Sequence, residues 1–132
     1  MKYTLIIQTA PIDHQSSYTA LRFARALLKA GHSIERLFFY GAGVHNATSN
    51  SVAPQDELNL PEQWQQFVTQ HSLDSVVCIA AAVRRGVINS AESRRYGKGG
   101  DNLADGFDLS GLGQLVASAV ESDRVVTFGA GA

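Results

Sequence analysis

The only cysteine of the chain lies where an apolar segment meets a pair of arginines. Cys78 stands in the segment SVVCIAAAVRRG, residues 75–86, and Arg84 and Arg85 follow it. A thiolate is a nucleophile, and nearby positive charge favours it over the thiol. A helical turn after the strand would also direct backbone N–H groups toward the sulfur. These residues predict a reactive thiolate at the carboxyl end of a strand, where ligands gather in open α/β sheets.

The alternative is a cysteine with a purely structural role. Free cysteine is among the most buried residue types and often behaves as a small hydrophobe, so composition alone favours this interpretation. The local charge argues against it, because residues 81–98 contain five basic side chains and one acid in a slightly acidic chain. The basic residues are Arg84, Arg85, Arg94, Arg95 and Lys98. Without the cysteine beside it, such a run would indicate a solvated helix face.

Length and composition predict one soluble domain over residues 1–132. A chain of 132 residues that is 45% hydrophobic and 17% charged can bury a core without disulfides or metals. Residues 1–10 resemble a first strand rather than a secretory signal, and no apolar run approaches the roughly 20 residues that span a bilayer. We therefore expect a cytoplasmic protein with a reduced thiol. The net charge of −1 gives no broad basic surface for direct binding of a nucleic acid.

The elements that must position the cysteine alternate between strands and helices. Four segments rich in apolar and β-branched residues predict strands, and a fifth, shorter one is a candidate. They are residues 2–9, 33–40, 74–80 and 123–129, with 107–109 as the short candidate. The third is apolar on both faces, as a central parallel strand must be. The pattern predicts a three-layer α/β/α fold with a central, mainly parallel sheet of four to five strands.

Apolar stripes and capping residues predict the helices between these strands. Ser16 or Ser17 is expected to cap the first helix, which Gly31 ends. Asn59 is expected to cap the second helix, and Ser110 the last. The expected buried stripes are Ala20, Leu21, Ala24, Leu27 and Leu28 in the first helix, Leu60, Trp64, Phe67 and Val68 in the second, and Leu112, Leu115, Val116 and Ala119 in the last.

Two stretches are predicted to be largely irregular. Residues 41–58 are rich in Gly, Asn, Ser and Pro, and connections of this length are usually functional or mobile. An exposed Val44 in this stretch is a candidate partner contact, and a merely flexible connection is the alternative. Residues 80–106 are predicted to form two short helical turns, the second ending at Gly97, and then a loop.

Other candidate sites have weaker patterns. The four histidines lack metal-ligand spacing, so neither a metal nor another cofactor is expected. The glycine-rich segments 97–102 and 110–115 do not complete a phosphate-binding motif, although a nucleotide-binding module using 97–102 remains an alternative function. Asp13 and His14 lie after the first strand and could act as an acid/base pair, but polar loop residues are usually only solvated.

Four segments carry a resemblance to a known family: FFYGAGVHNA (38–47), VVCIAAAVRRGV (76–87), NLADGFDLSGLGQL (102–115) and DRVVTFG (123–129). In this order and spacing they resemble the TusD/DsrE family of sulfur-carrier proteins. The resemblance covers essentially the whole chain, and the pattern Cys-x-Ala-Ala-Ala-x-Arg-Arg-Gly is its most specific part. The segment TAPIDHQ (9–15) departs from a Gly-Pro pair common in the family at that turn.

The resemblance implies a sulfurtransferase subunit. TusD-like proteins form a heterohexamer with TusB-like and TusC-like paralogues, two copies of each, and carry a persulfide on the cysteine that corresponds to Cys78. It also implies a TusA-like sulfur donor and a TusE-like acceptor, toward 2-thiolation of the wobble uridine of certain tRNAs. DsrE-like members share the architecture and serve dissimilatory sulfur oxidation, which is the alternative. A non-catalytic structural subunit is a further alternative, since some paralogues lack the cysteine.

The residues are consistent with this function. A persulfide carrier needs one thiolate and no resolving cysteine nearby, because a second thiol would discharge the persulfide as a disulfide. One cysteine per chain meets that requirement. We expect Arg84 and Arg85 to stabilise both the thiolate and the persulfide anion on Cys78.

Overall fold

A five-stranded parallel sheet forms the centre of the fold. The computed structural model describes residues 1–130. The strands are β1 (Lys2–Ile7), β2 (Ser33–Phe39), β3 (Ser75–Cys78), β4 (Asp108–Ser110) and β5 (Arg124–Phe128). Their order in the sheet is β4-β3-β2-β1-β5, and every neighbouring pair is parallel. The predicted α/β class is confirmed. The short candidate strand at 107–109 is present as β4, which pairs with β3 and brings the number of strands to five.

Helices connect each strand to the next along the chain. They are α1 (Ser16–Lys29), α2 (Leu60–Gln70), α3 (Ile79–Arg84), α4 (Ser90–Arg95) and α5 (Gly113–Glu121), and a 3-10 helix over Gly41–Ala47 follows β2. The Asn59 side chain caps α2 as predicted, because its Oδ1 accepts a hydrogen bond from the Glu62 N–H. No helix within residues 1–130 has the length and apolarity that crossing a membrane requires.

The buried face predicted for α2 is confirmed, and it forms part of an aromatic cluster. Trp64 is fully buried and meets Phe39 of β2 edge to face, with ring centroids 5.2 Å apart. Phe107, just before β4, packs against the same Phe39 ring at 5.5 Å. Such edge-to-face pairs add to the stabilisation from burial alone. This cluster fixes α2 against the half of the sheet that contains β3.

The prediction that a serine caps α1 is wrong. Gln15 precedes the helix, and its side chain makes no capping hydrogen bond. Ser16 and Ser17 are instead the first two residues of α1. The Ser16 hydroxyl hydrogen-bonds to the Thr9 hydroxyl, and the buried Ser17 hydroxyl donates to Asn46 at 2.7 Å. Both hydroxyls are therefore engaged in tertiary contacts and cannot serve as caps.

The prediction for α5 is wrong in both its cap and its buried stripe. Ser110 ends β4 and is not a cap, and Leu112 and Val116 are 51% and 63% exposed. The buried residue of α5 is Ser118, whose hydroxyl accepts a hydrogen bond from Arg36 of β2 at 2.8 Å. The helix packs on the sheet through this polar contact and the half-buried Leu115, while the other three residues of the predicted stripe, Leu112, Val116 and Ala119, are exposed.

The 3-10 helix is fixed by a buried hydrogen-bond network centred on Asn46. Asn46 Nδ2 donates to the carbonyls of Thr9 and Gly43 at 3.0 and 2.9 Å, while its Oδ1 accepts from Ser17. Trp64 Nε1 completes the network by donating to Ser17 Oγ at 3.1 Å. The network joins α1, α2, the 3-10 helix and the loop after β1. The predicted irregular connection is therefore ordered in its first part.

The predicted exposure of Val44 is wrong. Val44 lies within the 3-10 helix and is fully buried. The reason is the close approach of this helix to β1. A Cβ atom on Gly43 would lie 2.1 Å from the carbonyl oxygen of Ile7, so only glycine permits the contact. Val44 therefore enters the core and cannot be a partner contact.

We predict that Asn46→Ala destabilises the fold by about 2–4 kcal/mol. The substitution leaves the Ser17 hydroxyl and two backbone carbonyls without their buried partner, and such groups are costly. Chemical unfolding in urea measures the change. Asn50→Ala in the same connection is the control, because this exposed side chain should contribute less than about 0.5 kcal/mol. Equal unfolding midpoints for the two variants would contradict the prediction.

Candidate active site

Cys78 is the last residue of β3, at the carboxyl edge of the sheet. All four residues of β3 are buried, and the strand lies between β2 and β4, where Cys78 pairs with Ser110. The strand ends earlier than the predicted range 74–80, because the backbone turns at Cys78 and Ile79 begins α3. The helical turn that was predicted after the cysteine is confirmed.

A cavity of about 340 Å³ opens beside Cys78. Its walls come from the segments that follow three neighbouring strands. Tyr40 and Gly41 follow β2, α3 follows β3, and Gly111 and Leu112 follow β4. The cysteine itself is only 3% exposed. A reagent must therefore enter this cavity to reach the thiol.

The structure brings both predicted arginines to the same cavity as the cysteine. Arg84 and Arg85 line it, and both residues are otherwise exposed. Arg85 Nη1 donates to the Ala81 carbonyl at 3.2 Å, which folds that side chain back along α3. Within residues 1–130 the ion pairs are Arg36 with Asp74 and Arg95 with Glu92, so neither cavity arginine is neutralised by a carboxylate. The cavity can therefore hold an anion.

The cavity does not lie at the topological reversal of the sheet. The strand order reverses between β1 and β5, where ligands of open α/β sheets usually bind. Here the 3-10 helix lies over the end of β1, and the Gln8 N–H donates to the Phe128 carbonyl of β5 at 3.0 Å. The end of β3 remains open instead. The cavity therefore lies at a carboxyl end of the sheet, but at that of β3.

Sequence reasoning missed the four residues of the cavity wall that follow β2 and β4. They are Tyr40, Gly41, Gly111 and Leu112. Each directly follows a strand, so applying the carboxyl-end rule to every predicted strand would have found them. Leu112 was instead assigned to a buried helix stripe. Gly41 has a φ of 57°, which glycine adopts without strain and which lets the 3-10 helix begin beside Cys78.

The other candidate residues do not join this site. Asp13 and His14 line a separate depression beside the first turn of α1. The segment 97–102 does not line the cysteine cavity, although Lys98 lines a neighbouring one. No group of three or more His, Cys, Asp or Glu side chains within residues 1–130 could hold a metal ion. The chemistry of the site therefore rests on the thiol and the arginines.

Comparison with known proteins identifies the family. A model of the DsrE/DsrF-like family matches residues 1–128. The chain belongs to this family. It is 50% identical over 129 residues to "Sulfurtransferase TusD homolog" of Pseudomonas aeruginosa, covering 98% of each chain. It is 46% identical over 129 residues to "Putative sulfurtransferase DsrE" of Allochromatium vinosum, covering 98% of this chain and 99% of that one. The resemblance to TusD/DsrE sulfurtransferases is thus confirmed.

A solved structure with the same fold supports the architecture. The crystal structure of the ychN protein from E. coli superposes with a TM-score of 0.75, and the match covers 97% of this chain and 100% of that one. The two sequences are 21% identical, so this likeness concerns the fold alone. A DsrE-like fold therefore carries the cysteine cavity described above.

We predict that Cys78 discriminates between thiol reagents by size. The small reagent methyl methanethiosulfonate should modify the native protein faster than the bulky Ellman reagent does, because access is through the cavity. The ratio of these two rates should be at least about tenfold larger in the native protein than in protein unfolded in urea. Leu112→Ala should open the wall and reduce this selectivity. Val116→Ala is the control, since Val116 is exposed on the same helix but does not line the cavity. Rates are followed by mass spectrometry, and equal selectivity in native and unfolded protein would contradict the prediction.

Proposed function

We propose that this protein carries sulfur as a persulfide on Cys78. In this proposal Cys78 accepts the sulfur from a TusA-like donor and passes it to a TusE-like acceptor, toward 2-thiolation of the wobble uridine of certain tRNAs. The observation that carries the proposal is the position of the only cysteine beside a cavity that two arginines line. Relatives named TusD support the choice of this relay.

The chemistry is a nucleophilic exchange at a sulfur atom. The Cys78 thiolate attacks the outer sulfur of a donor persulfide, R–S–SH, and forms a new S–S bond. The donor S–S bond breaks, and its electron pair leaves with the donor as R–S⁻. The outer sulfur keeps its proton or loses it to water, which gives the Cys78 persulfide. An acceptor thiolate then attacks that outer sulfur and releases the Cys78 thiolate. The transferred sulfur has the same oxidation state throughout, so no redox cofactor is needed.

The cavity serves this exchange in two ways. It holds the reactive sulfur away from bulk solvent and from other thiols, which protects a persulfide that a second thiol would discharge. Arg84 and Arg85 place positive charge where the thiolate and the persulfide anion must be held. The N-terminus of α3 adds to this field, but a helix of six residues contributes little beside two full charges.

The chain is proposed to bind partner proteins and not tRNA. The net charge of −1 supports the absence of direct tRNA binding. We propose assembly with TusB-like and TusC-like paralogues, two copies of each, in the cytoplasm. An outward stripe, formed by Leu112 just before α5 and by Val116 and Val120 on α5, supports such contacts, because contiguous exposed apolar side chains are typical of interfaces.

A second candidate function is sulfur trafficking in dissimilatory sulfur oxidation. The relative named DsrE at 46% identity favours it, and the same cysteine chemistry would serve it. A purely structural subunit agrees less well with a cysteine that lines an arginine-bearing cavity. Deletion in the source organism separates the first two, since only the tRNA relay would reduce 2-thiouridine in total tRNA.

We predict that incubation with a persulfide donor adds the mass of one sulfur atom to Cys78. Intact-protein and peptide mass spectrometry measure the addition, and a reductant should reverse it. Cys78→Ser should abolish both the addition and onward transfer, because no other thiol exists in the chain. The variant should keep its thermal unfolding temperature, which shows that folding is intact. A wild-type protein that stays unmodified would contradict the carrier function.

We predict that Arg84→Gln and Arg85→Gln each slow sulfur loading of Cys78 by about three- to tenfold. Each substitution removes one positive charge from the cavity while keeping a long polar side chain, and an exposed charge contributes a modest amount. Arg94→Gln is the control, because this arginine lies on α4 and does not line the cavity. Stopped aliquots analysed by mass spectrometry give the rates. Equal slowing by Arg94→Gln would show that overall charge is responsible and would contradict the assigned roles.

A further inference from the structure

Arg36 of β2 joins the start of β3 to α5. Its Nε donates to Asp74 Oδ2 at 2.9 Å, and Asp74 is the residue just before β3. Its Nη1 donates to the Gln114 carbonyl and to the Ser118 hydroxyl of α5, both at 2.8 Å. The Arg36 side chain is 15% exposed. A guanidinium can make these bonds together because its N–H groups point in fixed, diverging directions. One side chain therefore holds two separate segments of the chain.

This contact reaches the wall of the cysteine cavity through the first turn of α5. Gly111 and Leu112 line the cavity just before that helix. The Leu112 carbonyl accepts a hydrogen bond from the Leu115 N–H at 3.0 Å. The Gly111 carbonyl accepts one from the Gln114 N–H at 3.2 Å. Both wall residues are therefore bonded to the turn that Arg36 holds on the sheet.

Polar contacts carry much of the docking of α5 on the sheet. A helix usually docks through an apolar stripe, but the buried residue of α5 is Ser118, and Leu115 is only half-buried. The Thr4 hydroxyl of β1 donates to the Ser118 carbonyl at 3.4 Å and bonds to the Ser122 hydroxyl at 2.6 Å. Those two bonds hold the second half of the helix. The polar bonds to the sheet from its first turn are therefore those of Arg36.

We propose that Arg36 is a positioning residue that sets the size of the molecules that reach the sulfur on Cys78. Arg36 does not line the cysteine cavity, so it acts through Gly111 and Leu112. By holding the first turn of α5 on the sheet, it keeps this wall closed to bulky reagents and thiols. The inference rests on the proposed carrier function where it concerns protection of the persulfide. Access of reagents to the thiol is independent of that function.

The rates of two thiol reagents test the position of the wall. Arg36→Met keeps a long side chain and removes the hydrogen bonds to α5. The Ellman reagent should modify native Cys78 about three- to tenfold faster in this variant, because local opening of the wall admits the larger molecule. The rate of methyl methanethiosulfonate should stay within about twofold. In a Leu112→Ala background the same substitution should add less than about twofold, since both changes act on one wall.

Asp74→Asn is the matched control for Arg36→Met. It removes the same ion pair but leaves the bonds from Arg36 to α5, so the Ellman rate should stay within about twofold of wild type. A merely structural role of Arg36 would raise the rates of both reagents together, because global unfolding exposes Cys78 to each. An equal rise for both reagents, or an equal effect of Asp74→Asn, would overturn the proposal.

Ser118→Ala is a second variant that serves if Arg36→Met does not fold. It removes one acceptor of Arg36 on α5 and leaves the ion pair with Asp74. The Ellman rate should rise by about two- to fivefold while the rate of methyl methanethiosulfonate stays within about twofold. An unchanged ratio of the two rates in Ser118→Ala would contradict the positioning role.

Discharge of the persulfide gives a functional measurement on the same wall. The attacking thiolate bonds to the outer sulfur, the S–S bond to Cys78 breaks, and its electron pair stays on the Cys78 thiolate. The bulky thiolate 5-thio-2-nitrobenzoate should discharge loaded Arg36→Met about three- to tenfold faster than loaded wild type, and 2-mercaptoethanol within about twofold of it. Mass spectrometry follows the loss of the added sulfur.

The two measurements separate the positioning role from the carrier function. If Cys78 never loads with sulfur while the two reagents show the expected difference, the carrier function fails and the role of Arg36 stands. If Cys78 loads but Arg36→Met changes neither the reagent rates nor the discharge rates, the role of Arg36 fails and the carrier function stands.

Discussion

The carboxyl edge of the sheet depends on the hydrogen bonds of Asn46. This buried side chain uses both of its N–H donors on backbone carbonyls and its oxygen on Ser17, so it ties the 3-10 helix to α1 and to the loop after β1. Gly43 permits the close approach to the Ile7 carbonyl that this arrangement demands. The 3-10 helix consequently covers the end of β1 and begins at Gly41 beside the cysteine. A single buried amide thereby shapes one wall of the cavity and leaves the end of β3 as the open position.

In the proposed carrier function, the sulfur on Cys78 must be protected from other thiols and still be accessible to its donor and acceptor. A fully exposed persulfide would meet other thiols, and a fully enclosed one could not exchange its sulfur. The cavity meets both demands because Cys78 is only 3% exposed and yet lines the same cavity as Arg84 and Arg85. The arginines are exposed at the rim, so their charge is screened by water and acts mainly on anions that enter the cavity. Burial and charge together favour a narrow anionic sulfur donor over bulk thiols.

The sequence predicted those parts of the molecule in which local pattern and tertiary structure agree. The continuous apolar run before Cys78 predicted the buried strand, and the Asn59 cap and Trp64 face of α2 were confirmed. The errors arose where a pattern has two possible partners. The Ser17 hydroxyl could cap a helix or form a hydrogen bond across the core. It donates to Asn46 and is therefore not available as a cap. Periodicity predicted a buried stripe that included Leu112 and Val116, but it could not show which face of α5 packs on the sheet. The hydrogen bond from Arg36 to Ser118 determines that face.

The outward stripe of α5 would link the assembly proposed above to access at Cys78. Leu112, Val116 and Val120 recur every four residues, so they form one continuous line on the helix surface. Leu112 begins this line and also lines the cysteine cavity. A paralogue that covers the stripe must therefore contact the cavity wall formed after β4. In the proposed assembly, a partner on this stripe would therefore lie beside the opening through which sulfur enters and leaves.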